Sequence, residues 1–246
     1  MTKSNKKQAF VVFDSETTSR DSLVFDAGYT TITRKGDILG KGSYLFKDVL
    51  ASHEPFYKQK IASYWEMAYL RKIKPVTFET FRRRFNNHLK QLRKDNLEPI
   101  FCAYNAAFDT RVISLTSHTM LQKSFLTKPI RMLDIWDAWA MSCPKRYKAE
   151  ISPSGNIRSR AEDVYRFEMG LPEFEEAHTG FEDTKIEAAI LLKVLARKKK
   201  LPIINHPSQF CGDPWRKVQL RVKKPPVVLD KDQVKNNFAN GLKLVA

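Results

Sequence analysis

Apolar residues along the chain fall into two kinds of pattern, unbroken runs and stripes at helical spacing. Gln8–Phe13 contains Ala-Phe-Val-Val-Phe, the signature of a strand buried on both faces. Phe25–Thr33 and Gly42–Lys47 are further strand candidates, with Lys35-Gly36-Asp37 as the turn between them. Pro99–Tyr104 reads as a second buried strand and Ile130–Ile135 as a short one. A helical period runs through Thr77–Asn96, where Phe78, Phe81, Phe85, Leu89 and Leu92 recur at steps of three and four and the basic residues mostly lie elsewhere. Helices are also predicted over Thr110–Leu121, Glu162–Met169 and Thr179–Lys198, and Lys145–Arg160 reads as an exposed basic loop. Between Leu50 and Pro75 stands an aromatic, basic stretch with Phe56, Tyr57, Tyr64, Trp65 and Tyr69. Two readings stay open for it: an ordinary core-facing helix, or a substrate-contacting lid helix.

Strands mixed with helices over residues 1–200 predict one α/β domain. Beyond Lys200, Pro202, Pro207, Pro214, Pro225 and Pro226 break the periodicity, so 201–246 reads as a basic appendage. Lys193–Lys224 carries ten Lys and Arg against the single acid Asp213. The charge of the whole chain sharpens this picture: 43 Lys and Arg against 27 Asp and Glu, net +16. Such an excess does little for the fold but attracts polyanions and speeds their capture. No apolar run approaches the ~20 residues a membrane span needs, so no membrane partner is expected. Cys102, Cys143 and Cys211 are far apart, which indicates neither a disulfide framework nor a thiolate zinc site. A reducing compartment follows: the cytoplasm, or that of an infected host if the source is viral. Gly40-Lys41-Gly42-Ser43 is faintly phosphate-binding in composition but lacks the P-loop spacing, and is better read as a hairpin turn. Neither His-Glu-x-x-His nor Gly-x-Ser-x-Gly occurs.

Candidate chemistry comes from three acidic positions. Asp14-Ser15-Glu16 ends the first strand, and alternation puts residues two apart on one face, so two acids are presented together. Asn105-Ala-Ala-Phe108-Asp109 follows an apolar strand and opens a helix. Asp109 there is either an N-cap or a site residue. In His178-Thr-Gly-Phe-Glu-Asp183, Thr179 and Glu182 have capping-box spacing. Asp183 then falls on the inward stripe of Ile186, Ile190 and Val194, where a carboxylate is costly unless paired or bound to a cation.

Taken together, Val-Val-Phe-Asp-Ser-Glu-Thr-Thr, Ala-Tyr-Asn-Ala-Ala-Phe-Asp and His-Thr-Gly-Phe-Glu-Asp-Thr-Lys-Ile-Glu-Ala resemble the three motifs of the DnaQ-like (DEDDh) 3′–5′ exonucleases over residues 8–198. Ser19, where that family usually has Gly, the 50–75 stretch and the appendage depart from the pattern. The resemblance implies a ribonuclease H-like fold, a mixed central sheet flanked by helices, with the first strand central. It implies removal of nucleoside 5′-monophosphates from 3′ ends by two Mg²⁺ or Mn²⁺ ions held by Asp14, Glu16, Asp109 and Asp183, with Asp14 shared between them. His178 would accept the proton of the attacking water. Glu16, Thr17 and Thr18 would meet the 3′ end, with Asn105 beside it. Phe108 would either wedge bases or belong to the core. The implied partners are single-stranded nucleic acid or the 3′ ends of duplexes, with DNA slightly favoured over RNA, and a polymerase or replication complex. The alternatives are an RNA-trimming exoribonuclease and a non-catalytic nucleic-acid-binding module on the same scaffold.

Overall fold

The structure, a computed structural model, describes residues 7–18, 23–51, 61–144, 147, 159–175 and 179–210. Its centre is a six-stranded mixed sheet in the order β4-β3-β2-β1-β5-β6. The strands are β1 (Lys7–Thr17), β2 (Val24–Thr33), β3 (Ile38–Phe46), β4 (Lys74–Val76), β5 (Leu97–Ala103) and β6 (Arg131–Asp134). β1 pairs antiparallel with β2, and β2 with β3; β1–β5, β5–β6 and β3–β4 are parallel. The helices are α1 (Lys47–Leu50), α2 (Ile61–Tyr69), α3 (Phe78–Lys94), α4 (Ala106–Leu121), α5 (Ile135–Ala140), α6 (Ala161–Met169) and α7 (Gly180–Arg197). This is a mixed α/β sheet flanked by helices, as the motifs imply, with β1 in its interior.

The unbroken apolar run of β1 is explained by the two cores it separates. Ala9, Val11 and Phe13 face one cluster with Phe81, Phe85 and Phe101, while Phe10 and Val12 face a second with Trp139, Ile186, Ile190 and Val194. Burying each such side chain contributes roughly 1.5–3 kcal/mol. α3 presents its predicted stripe to the first cluster, and Phe13 lies 5.2 Å from Phe101 and 5.8 Å from Phe85, ring centre to ring centre. α7 presents its stripe to the second.

Two features depart from the sequence reading. Gly40-Lys41-Gly42-Ser43 is not a hairpin turn but lies inside β3. The chain reverses just before it, through Gly36 at φ 97°. The glycines serve close packing instead: a Cβ on Gly40 would stand 2.6 Å from the His88 ring, and one on Gly42 2.5 Å from the Tyr44 ring. α5 and β4 were not anticipated. α5 has six residues and starts where Asp134 accepts from the Trp136 and Asp137 amides, and β4 is a three-residue edge strand around Pro75, a position where proline is tolerated. Past Lys200 the described chain stays on the domain surface. Ile204 and Met132 exchange two backbone hydrogen bonds of 2.9 Å, and Phe210 packs against the first core.

Candidate active site

Alternation along β1 sends Asp14 and Glu16 to the α7 face and Ser15 to the α4 face. The register with β2 slips between Glu16 and Thr17, an irregularity that re-aims side chains at a strand end. Asp14 thus lies at the end of a buried strand, and burial raises its carboxyl well above the usual range. Repulsion from Glu187, Asp109, Asp183 and Glu16 adds to that rise, in descending order. The three motifs therefore converge on one electrostatic centre.

α7 reaches that centre because two glycines let backbone meet backbone. A Cβ on Gly28 would stand 2.3 Å from Phe181 Cα, and one on Gly180 would stand 2.9 Å from the Asp14 carbonyl oxygen. Both distances are inside contact range, so only glycine fits. The helix start is held from below by Asp26, whose Oδ2 accepts the Gly180 amide at 2.9 Å. Thr179 caps the helix by accepting the Glu182 amide, and the inward stripe then delivers Asp183, buried at 6% exposure. His178 lies outside the described residues.

Asp109 is not an N-cap. Asn105, exposed and in the left-handed region at φ 62°, precedes α4, and Asp109 sits in the first turn, 2% exposed. Its Oδ1 accepts the Ser15 hydroxyl at 2.7 Å. Burial lifts the Asp109 carboxyl to about 7 against the lowering effect of that hydrogen bond. The N-terminus of α4 is fixed by Asp134, which accepts the Ala106 amide at 3.1 Å while it caps α5. Phe108 is half-buried against the first core, with the Arg111 guanidinium 5.5 Å from its ring centre. Thr17 is half-buried. Thr18 is buried, and its amide donates to the Leu23 carbonyl.

Three residues at the site were not singled out from the sequence, and a fourth, Tyr64, was read only as part of the aromatic stretch. Glu187 is 2% exposed, heads the causes of Asp14's repulsion, and accepts the Tyr104 amide at 3.2 Å, one residue before Asn105. A helical turn separates it from Asp183, so an acid on the same buried stripe was the available signal. Ser15, between the two acids of the first motif, anchors Asp109. Asp26, fully buried, has its carboxyl pushed up to about 7 by burial, against the pull of the Gly180 amide and of a hydrogen bond from Tyr64. Tyr64 comes from α2 and is itself pushed up by burial and then by Asp26, Glu16 and Asp183. Among the described residues of the aromatic stretch, Tyr64 is the buried ring at the site and Trp65 and Tyr69 are exposed; Phe56 and Tyr57 lie outside the described residues.

The donor set around Asp14 is all carboxylate oxygen, which suits Mg²⁺ or Mn²⁺ rather than a thiolate-bound metal. Among the described residues, no group of three or more His, Cys, Asp or Glu is placed closely enough to hold a metal ion. Two unit charges ~4 Å apart repel by about 4 kcal/mol at an effective dielectric near 20, so carboxylates of this kind draw together only around a cation.

No family model matches the chain, and no curated protein matches it. Among solved structures it resembles exonuclease X in complex with 5′-overhanging duplex DNA, at 16% identity and a TM-score of 0.45, over 76% of this chain and 91% of that one. That likeness is too weak to bear on activity. No helix among the described residues is long and apolar enough to cross a membrane.

Proposed function

We propose that this chain is a divalent-metal-dependent 3′–5′ exonuclease, releasing nucleoside 5′-monophosphates from nucleic acid, with DNA slightly favoured over RNA. The observation that carries the reading is the electrostatic convergence of Glu16, Asp109, Asp183 and Glu187 on Asp14 at the end of β1. Asp14, Glu16, Asp109 and Asp183 would hold two Mg²⁺ or Mn²⁺ ions, which when bound supply Lewis acidity at the scissile phosphate. The protein's own groups do the rest. His178, one residue before the cap of α7, accepts a proton from the attacking water. Glu16 and the Thr17 backbone receive the terminal 3′-hydroxyl, with Thr18 and Asn105 bordering the same end. Phe108 offers a half-buried ring to the terminal base. Glu187 and Ser15 act through others, steadying the β5–α4 junction and Asp109 respectively.

Digestion of 5′-labelled single strands and duplexes, DNA and RNA in parallel, tests this. The expected result with Mg²⁺ or Mn²⁺ is a ladder shortening from the 3′ end with mononucleotide product. Binding without cleavage in either metal would contradict it and leave a nucleic-acid-binding module.

A further inference from the structure

The side of α3 opposite its phenylalanine stripe forms one wall of a groove of about 610 Å³, and Lys128 stands on the other. Arg82, Arg83, Lys90, Arg93 and Lys94 line it from the helix. Among the lining residues the one acid is Glu79, and it is engaged by Arg82 at 3.4 Å. We propose that this groove is a second nucleic-acid contact, which grips the phosphodiester backbone of the strand away from its reacting end. The proposal rests on the nuclease reading for its choice of polyanion.

Three observations favour a built surface over a solvated run of charges. First, the walls are tied together. Arg82 Nε donates to the Ser124 carbonyl at 2.8 Å, Asn86 Nδ2 donates to the Phe125 carbonyl at 2.8 Å, and Arg93 donates to the Pro129 carbonyl at 3.2 Å. Asn86 Oδ1 also accepts the Thr127 amide at 2.8 Å. Arg82, Asn86 and Arg93 thus hold the groove's shape, and Arg83, Lys90 and Lys94 stay exposed. Second, Lys90 stands one helical turn from both Arg93 and Lys94 on the groove wall, and like charges so spaced oppose a helix, a cost that an incoming polyanion reverses. Third, the direction is right. α3 is followed almost at once by β5, which runs parallel to β1, so its first turn lies at the end of the sheet where β1 delivers Asp14. From Arg82 to Lys94 the helix rises roughly 18 Å at about 1.5 Å per residue. At ~3.4 Å per phosphate along one strand of a duplex, that length faces about five phosphates.

The test compares the full chain with its R83Q/K90Q/K94Q/K128Q variant, four exposed positions outside the carboxylate centre; at the three on α3, glutamine keeps helix propensity. Binding to labelled single-stranded and duplex oligonucleotides is followed against salt in metal-free buffer. Hydrolysis of a dinucleotide, too short to reach the groove, is followed with Mn²⁺. The slope of log affinity against log salt is expected to flatten by about 3 for single strands, at ~0.7 for each phosphate no longer neutralised, with dinucleotide hydrolysis unchanged. An unchanged slope overturns the proposal, as does wild-type protein that binds no oligonucleotide. Selective loss of binding to phosphatidylserine vesicles, with oligonucleotide binding intact, overturns it in favour of a membrane surface. A flattened slope in a protein that hydrolyses nothing upholds the groove and removes the nuclease reading alone.

Discussion

Gly28 and Gly180 set how close α7 comes to Asp14, so a single methyl group at either position should act on the site. Gly28→Ala would have to push the α7 backbone outward, because its Cβ would stand 2.3 Å from Phe181 Cα. Overpacking of this kind costs typically about 1–3 kcal/mol, occasionally more. We expect a lower denaturant midpoint and weakened Mn²⁺ binding in the same variant; unchanged metal affinity would dissociate the glycine contact from the site. His178→Ala is expected to keep fold and metal binding yet lose on the order of 10²-fold in turnover, read under conditions where chemistry limits the rate. Asp26 supplies a pH signature. Its carboxyl is pushed from 3.8 to about 7 in the fold, so the folded state holds the proton longer than the unfolded state does. Its contribution is full below the unfolded value and is lost as pH rises toward about 7. Asp26→Asn should therefore make the metal-free protein's stability fall less steeply across that window, as followed by denaturant midpoints. Asp14, Glu16, Asp109 and Asp183, the proposed metal ligands, could be picked out as candidates because local spacing places each near an element end. Ser15, Asp26 and Tyr64 could not, since their roles depend on partners 94 and 154 residues away or on a tertiary contact from α2.

At the scale of elements, long stripes were readable and short pieces were not. Five apolar residues at helical spacing fix α3, and a continuous apolar run fixes β1, because many positions repeat the same message. α5 and β4 are six and three residues long, too short for any period to show. Their existence is owed to Asp134 capping and to pairing with β3. The glycines of β3 misled for a related reason: their cause is the rings of His88, Tyr29 and Tyr44 above them, which no local pattern reveals. α5, α6 and α7 are joined at Glu168, which is buried and accepts from Trp139 Nε1 at 2.7 Å and from Arg197 at 2.8 Å. Removing one member of a buried, hydrogen-bonded ion pair costs about 3–5 kcal/mol. Arg197 keeps some solvent contact, so Glu168→Ala is expected near the lower end by chemical denaturation. A loss under ~1 kcal/mol would place the pair with exposed ones.

Across the whole molecule, a chain of net positive charge carries a negative centre. The net +16 draws a polyanion in, while the carboxylates repel it until cations intervene. Mn²⁺ should accordingly raise the unfolding midpoint of the wild-type protein, by about 2.7 kcal/mol in stability at a hundredfold excess over its Kd. Replacing an acid of the centre should reduce that gain while raising the stability of the metal-free protein. Both follow from the repulsion among these acids, which adds to burial in raising Asp14.

The most direct measurement is the rate of nucleotide release from a 3′-labelled single strand as Mg²⁺ is titrated, with wild type, Asp14→Asn and Asp183→Asn run side by side after folding is verified. The carboxylate centre predicts saturable, Mg²⁺-dependent release by the wild type and, in each variant, release no faster than in chelator. Metal-independent release, or variants that match the wild type across the titration, would contradict it.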